Sequence, residues 1–293
     1  MKALFGLAWA NSSCAFDTIL TVLLYFYISL PLSQRGDFIR TLPLFDGIFQ
    51  NIIVESQSSL AQAKLLLMPF FMGGAKPTFA TGVFYSVEAV YQHLTKISTD
   101  ASSTDVSPTD MIRIHFSVSK FCSDLNCLGY GIQKRRCKDK TISLFESCSV
   151  IDNGTDKDIH ELMEKYWSRR VHTCDLCDVK RNLEVKREFS RVNPELIAVS
   201  VNEMDTLLDS KIKFQGSEYT TFAVAYCNTV HFIARIKMND GVYEYDGISS
   251  QGRLHLLELH DPFSERILTI LGNKYKAQMV WYKKSIASSI DQN

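Results

Sequence analysis

The chain has 293 residues, 46% of them hydrophobic, with 32 basic and 32 acidic side chains and a formal net charge of zero. That length and apolar content suffice for one large core or for two to three lobes, and the charge balance offers a nucleic acid no bulk attraction. No Gly-rich phosphate loop and no internal repeat is found.

The first ten residues superficially resemble a secretory leader. Their apolar core is shorter than the ~7–15 residues such leaders use, and it runs directly into Asn11-Ser12-Ser13. Thr18–Leu32 is uncharged but only 15 residues long. That is short of the ~20 needed to span a bilayer, so a buried core helix is expected and no membrane partner. An intracellular compartment follows as the expectation, and with it little weight for the sequons at Asn11 and Asn153.

Within this region Cys14 follows small polar residues and precedes apolar Phe16, Ile19, Leu20, Leu23, Leu24 and Tyr27. The spacing predicts a helix starting at or just after the cysteine. A thiol there feels the positive end of the helix dipole, which favours the nucleophilic thiolate. Taken alone, the stretch fits a buried inert cysteine better.

Leu30-Pro-Leu32 and Ser33–Asp37 are expected to end that helix, with further helices over Phe38–Ile53, Ser56–Phe71 and Thr81–Leu94 and a break at Gly73–Pro77. Ser98–Asp110, rich in Ser, Thr, Asp and Pro, reads as a linker. From Met111 the pattern turns to strands, beginning with the alternation of Met111–Val118.

Six of the eight cysteines then fall between residues 122 and 177. In a reducing compartment such clustering argues for metal before disulfides. Cys122 with Cys127, and Cys174 with Cys177, form two knuckles that could present four thiolates to one tetrahedral Zn²⁺. Cys137 and Cys148 compete for the role, and His160 or His172 could replace a cysteine. Thr155–Asp158 reads as a capping box for a short charged helix over Ile159–Arg169.

Val179–Phe189 and the apolar stretch Pro194–Val201 follow, and strand signals dominate from Phe222. Phe222–Cys227, His231–Met238 and Val242–Asp246 read as three strands, the last two joined at Asn239-Asp240-Gly241. His231 thus starts one strand and Asp246 ends its antiparallel neighbour, so the two can meet at one end of the hairpin. A carboxylate beside an imidazole fixes its tautomer and supports the protonated form, as the third member of a nucleophilic triad does. His255 and His260 are rival bases, but neither is followed by a strand bearing an acid.

The order of an early Cys, a late His and a later Asp resembles the ubiquitin-specific peptidase-like cysteine peptidases, papain-like enzymes that cleave ubiquitin or SUMO from conjugates. The resemblance spans nearly the whole chain. It is carried by Asn11-Ser-Ser-Cys-Ala-Phe-Asp-Thr-Ile-Leu20, by Val230-His-Phe-Ile-Ala-Arg235 with Tyr243-Glu-Tyr-Asp-Gly247, and by the closing strand Ala277–Lys283. The knuckle separation is also similar to the zinc-bearing fingers of that family, although some members have lost their metal.

The resemblance implies an α+β fold of the thumb–fingers–palm type in one catalytic domain. Residues 1–105 would be a helical thumb, 106–185 the cysteine-rich fingers and 186–293 the palm. It implies a thiol isopeptidase acting through a thioester, with Cys14 as nucleophile, His231 as base and Asp246 orienting it. The oxyanion would be held by the Cys14 backbone N–H and an amide side chain. Here the chain departs from the family's main pattern: Trp9 stands where an asparagine is usual, and Asn11 is the nearest amide. Trp at that place resembles the SUMO-directed branch. A monomer binding ubiquitin or a SUMO-like modifier is expected, with structural zinc and no cofactor for catalysis. Two alternatives remain open: a catalytically inactive modifier-binding module, and another papain-like thiol acyltransferase or amidase.

Overall fold

Helix α1 (Cys14–Ser29) is the axis on which the rest packs, and every residue from Cys14 to Tyr27 is buried. A helix apolar on all sides belongs inside a core rather than on a surface. It lies between helix α4 (Val87–Ile97) on one side and strands β8 (Ser217–Cys227) and β9 (Phe232–Met238) on the other. The computed structural model describes residues 3–8, 13–72, 86–97, 111–112, 114–122, 144–148, 150–152, 170–172, 183–189, 193–201, 210–257, 269–270 and 274–285. Among these, no helix is long and apolar enough to cross a membrane.

Pro31 separates α1 from α2 (Leu32–Thr41). It forces Leu30 into extended backbone (ψ 144), ending one helix, and caps the next. Ser33–Asp37, expected as the break, are therefore the opening turns of α2. The helix expected over Phe38–Ile53 stops at Thr41 because Pro43 and Gly47 (φ 69) interrupt it. Two short 3₁₀ turns, Pro43–Phe45 and Phe49–Asn51, follow in its place. They close an aromatic cluster: Phe45 and Phe49 stack at 4.4 Å, and Phe38 and Tyr27 pack on them. Helix α3 (Gln57–Met72) matches expectation within a residue. Helix α4 starts at Val87, where Ser86 Oγ accepts the Ala89 N–H at 3.0 Å as an N-cap.

Two sheets carry the remaining described chain. The larger runs β11-β10-β9-β8-β13-β6-β3, with β7 and β12 pairing on β8 and β13. Its strands are β3 (Val150–Asp152), β6 (Leu196–Ser200), β7 (Lys211–Phe214), β8, β9, β10 (Gly241–Tyr245), β11 (Leu254–Leu257), β12 (Thr269–Ile270) and β13 (Tyr275–Lys284). All pairs are antiparallel except β3 with β6. The smaller sheet runs β2-β1-β5-β4, from β1 (Ile114–Cys122), β2 (Leu144–Cys148), β4 (Arg170–His172) and β5 (Leu183–Phe189). The fold class is α+β, as expected.

The sheet meets the helices through large buried side chains. Phe222 on β8 packs edge-on against Phe26 of α1 at 5.8 Å, and Trp281 on β13 against Tyr91 of α4 at 6.0 Å. Each fully buried side chain of this size contributes roughly 1.5–3 kcal/mol. Strand β7 was not anticipated. It forms a hairpin with β8 through Gln215 (φ 46) and Gly216 (φ 77), the two-residue loop that suits strand twist. Met111, after the helices, and Glu195, entering β6, meet at one place. The Met111 carbonyl accepts the N–H groups of both Glu195 and Leu196, while its own N–H donates to Thr41 Oγ1. The expected linker 98–110, the helix 159–169 and its capping box lie outside the described residues. So do Trp9, Asn11, Cys127, Cys137, His160, Cys174, Cys177 and His260.

Candidate active site

The segment before α1 is tied down from three directions. Phe5 bridges to Arg253, Gly6 N–H donates to Gly252 O at 2.6 Å, and Leu254 N–H donates to Leu4 O at 2.9 Å. The Tyr245 hydroxyl donates to Leu7 O, and Tyr25 to Phe5 O at 3.0 Å. A glycine is required at position 6, where a Cβ would meet Thr21 and Tyr245 atoms at 2.6–2.7 Å. Leu4 to Leu7 of the leader-like stretch are thus built into the fold.

Cys14 opens α1 and is nearly buried, with its Sγ 3.8 Å from the Val230 carbonyl. That carbonyl belongs to the tight turn joining β8 to β9. Asn228 Oδ1 shapes the turn by accepting the N–H groups of Val230 (2.9 Å) and His231 (2.7 Å). His231 follows at the start of β9. Its Nε2 lies 2.9 Å from Asp246 Oδ1, just past the end of β10. Asp246 is itself held, because the same oxygen accepts the N–H groups of Ile248 (2.8 Å) and Ser249 (3.1 Å). His231 Nδ1 is buried and has no hydrogen-bond partner. It is the nitrogen left for exchange with the thiol.

The electrostatics agree with that geometry. Burial pulls the His231 pKa down, but the hydrogen bond with Asp246 and the nearby charge of Asp246 and Cys14 outweigh it and raise the value to about 9. Burial pushes Asp246 up, yet the bonds from His231, Ser249 and Ile248 dominate and hold it below the usual carboxylate range. At neutral pH the pair is imidazolium and carboxylate. Cys227, the second free cysteine among the described residues, differs. Burial and the Cys14 charge push its thiol up to about 12, so it stays protonated.

Of the expected site residues the structure therefore brings Cys14, His231 and Asp246 together, while Asn11 lies outside the described residues. His255 is exposed on β11 across from Glu244, away from this cluster. Sequence reading missed the polar group under the start of α1. Lys64 of α3 lies 2.7 Å from Asp17 Oδ1, with both side chains buried. Its signal was present: Asp17 interrupts an apolar run, and Lys64 falls on the Leu60, Ala63, Leu67 face. A buried charge requires a partner.

Zinc can be tested against strand register. Cys122 ends β1 opposite Leu183 of β5, and His172 ends β4 opposite the same Leu183. Cys122 and His172 thus end their strands at the same end of the sheet, about 10 Å apart by two strand spacings. Cys148 sits opposite Ile114, at the other end. This register puts Cys122 and Cys148 at opposite ends of the smaller sheet.

No family model matches the sequence, and no curated protein matches it. Solved structures do. A Ubp8 variant with Sgf11, Sus1 and Sgf73 bound to monoubiquitin is 10% identical at a TM-score of 0.58, covering 97% of this chain and 69% of that one. The yeast SAGA DUB module with an Sgf73 variant is 11% identical at 0.57, covering 97% and 69%. The Ubp8 module bound to ubiquitin aldehyde is 11% identical at 0.54, covering 97% and 70%. At such identity the likeness shows the fold alone: this chain has an α+β fold like that of these Ubp8 structures. The expectation of a monomer finds no support in these neighbours, which are multi-subunit modules.

Proposed function

We propose that this chain is a thiol isopeptidase that removes ubiquitin, or a SUMO-like modifier, from its conjugates. One observation carries the reading. A cysteine at a helix start, a histidine at a strand start and an aspartate at a strand end converge, with Nε2 on the carboxylate and Nδ1 unpartnered. The fold shared with ubiquitin-bound neighbours supports ubiquitin as the first modifier to test. Trp9 keeps SUMO as the second.

In this reading His231 Nδ1 holds the proton of the Cys14 thiol in an ion pair, and the thiolate attacks the carbonyl carbon at the modifier's C-terminus. The negative charge that develops on oxygen is met by the Cys14 backbone N–H at the helix start, with Asn11 as the side-chain donor. The tetrahedral adduct collapses as His231 protonates the departing lysine amine, leaving a thioester. His231 then deprotonates a water, which attacks the thioester and releases the modifier's carboxylate and the Cys14 thiol. Asp246 holds the imidazole tautomer throughout.

The thumb would comprise 1–105, the fingers 106–185 and the palm 186–293. The contact of Met111 with Glu195 and Leu196 brings the two ends of the middle segment together, while β3 within it pairs with β6 of the larger sheet. Zn²⁺ on Cys122, Cys127, Cys174 and Cys177 would brace the fingers and take no part in the chemistry. An intracellular, reducing compartment suits both the thiol and these cysteines.

The experiment is steady-state hydrolysis of ubiquitin and SUMO carrying a fluorogenic C-terminal amide, with wild type, Cys14→Ala and His231→Ala. Turnover of one modifier by wild type, abolished in both variants, is expected. No turnover of either by wild type overturns the reading.

A further inference from the structure

A lysine buried beneath the nucleophile helix has no part in the chemistry above, yet its ammonium reaches both flanks of the stretch preceding Cys14. Lys64 Nζ donates to Ala8 O at 2.9 Å, to Ser13 Oγ at 2.7 Å and to Asp17 Oδ2 at 2.9 Å. Three acceptors match the three N–H groups of an ammonium. Both side chains of the ion pair are buried, 8% and 0% exposed. The Ser13 hydroxyl in turn donates to Asp17.

The arrangement has a chemical consequence at the helix start. Ser13 is the N-cap residue of α1, but its side chain makes no capping bond. A serine there ordinarily accepts the N–H of the second or third helical residue. Lys64 and Asp17 occupy the hydroxyl instead, so it does not compete for the first amides of α1. The same ammonium fixes Ala8 before residues 9–12 and Ser13 after them.

From this geometry we propose that Lys64 is a positioning residue, holding the start of α1 so that the Cys14 backbone N–H is aimed at the oxyanion. The proposal rests on the acyl-transfer reading above. Breaking a buried ion pair from one side leaves a buried charge, so single variants alone would confuse positioning with folding. Asp17 eases this: burial already pushes its carboxyl up to about 7 against the pull of Lys64, so it can take a proton when the lysine is gone.

The test compares wild type, Lys64→Met, the charge-balanced Lys64→Met/Asp17→Asn pair and Lys64→Arg in three measurements. Hydrolysis of the ubiquitin and SUMO amides reads acyl transfer. Iodoacetamide alkylation of Cys14, which forms a carbon–sulfur bond, expels iodide and develops no oxyanion, reads the thiolate. Amide hydrogen exchange across residues 13–16 reads the helix start without any substrate.

In both methionine variants kcat should fall at least tenfold with KM within threefold, and Cys14 alkylation should stay within threefold of wild type. Exchange at 13–16 should quicken at least tenfold, and Lys64→Arg should recover part of kcat. Unchanged exchange or unchanged kcat overturns the proposal. Equal loss of alkylation and kcat in the charge-balanced pair also overturns it, because Lys64 would then support the site only generally. If wild type hydrolyses neither modifier, the acyl-transfer reading falls instead, and with it the positioning role. The exchange measurement still decides whether Lys64 fixes the helix start.

Discussion

Replacing Asp246 by Asn keeps the size of the side chain and the oxygen that accepts Ile248 and Ser249, but removes the charge facing His231. The imidazole is 11% exposed, so burial is then opposed only by Cys14. Its pKa should fall from about 9 towards its ordinary value of 6.5. The rise from 6.5 to about 9 is worth about 3 kcal/mol of stability, because the folded state holds the proton more tightly than the unfolded chain. A raised value makes that stabilisation fully present below pH 6.5 and lost as pH climbs through about 9. Asp246 supplies the larger part of that rise, so urea unfolding at pH 6 should show Asp246→Asn less stable by up to about 3 kcal/mol, with the difference shrinking below about 1 kcal/mol at pH 10. Ring-proton NMR should show the histidine titrating near or below its ordinary value. Loss of the charge should also lower kcat by about 10²–10⁴-fold, the range of a general base's contribution. A variant whose His231 still titrates near 9, or whose loss of stability is the same at both pH values, would refute the reasoning.

Gly6→Ala places a methyl within 2.7 Å of Thr21 and Tyr245 atoms, and should cost about 1–3 kcal/mol in urea unfolding. Iodoacetamide near neutral pH should modify Cys14 and spare Cys227, whose thiol burial keeps protonated; peptide mass spectrometry distinguishes them. Elemental analysis should find about one zinc per chain, the stoichiometry of a four-cysteine site. Cys174→Ser/Cys177→Ser should lose the metal, whereas Cys148→Ser should retain it.

What the sequence made legible follows from how local each signal is. The helix at Cys14, the His231 and Asp246 strands and the closing strand are marked by runs of apolar residues and by the Asn-Asp-Gly turn, and each appears where its pattern places it. The meeting of His231 with Asp246 was legible because a hairpin fixes register. The meeting of either with Cys14, more than two hundred residues away, came only from resemblance. Strand β7 was hidden because Lys211-Ile-Lys-Phe is four residues long and its turn is Gln-Gly rather than Asn-Gly. The false break at Ser33–Asp37 came from reading Pro31 as a terminator only, when it also starts α2. Lys64 and Asp17 went unread as a pair because tertiary packing joins charges 47 residues apart.

The most direct measurement of the central claim is covalent capture by ubiquitin and by SUMO, each carrying a thiol-reactive group at its C-terminus, with Cys14→Ala as control. One adduct of one modifier on wild type, mapped to Cys14 and absent from the control, is expected. A wild-type protein that forms no adduct with either modifier, or forms one equally well without Cys14, would contradict it.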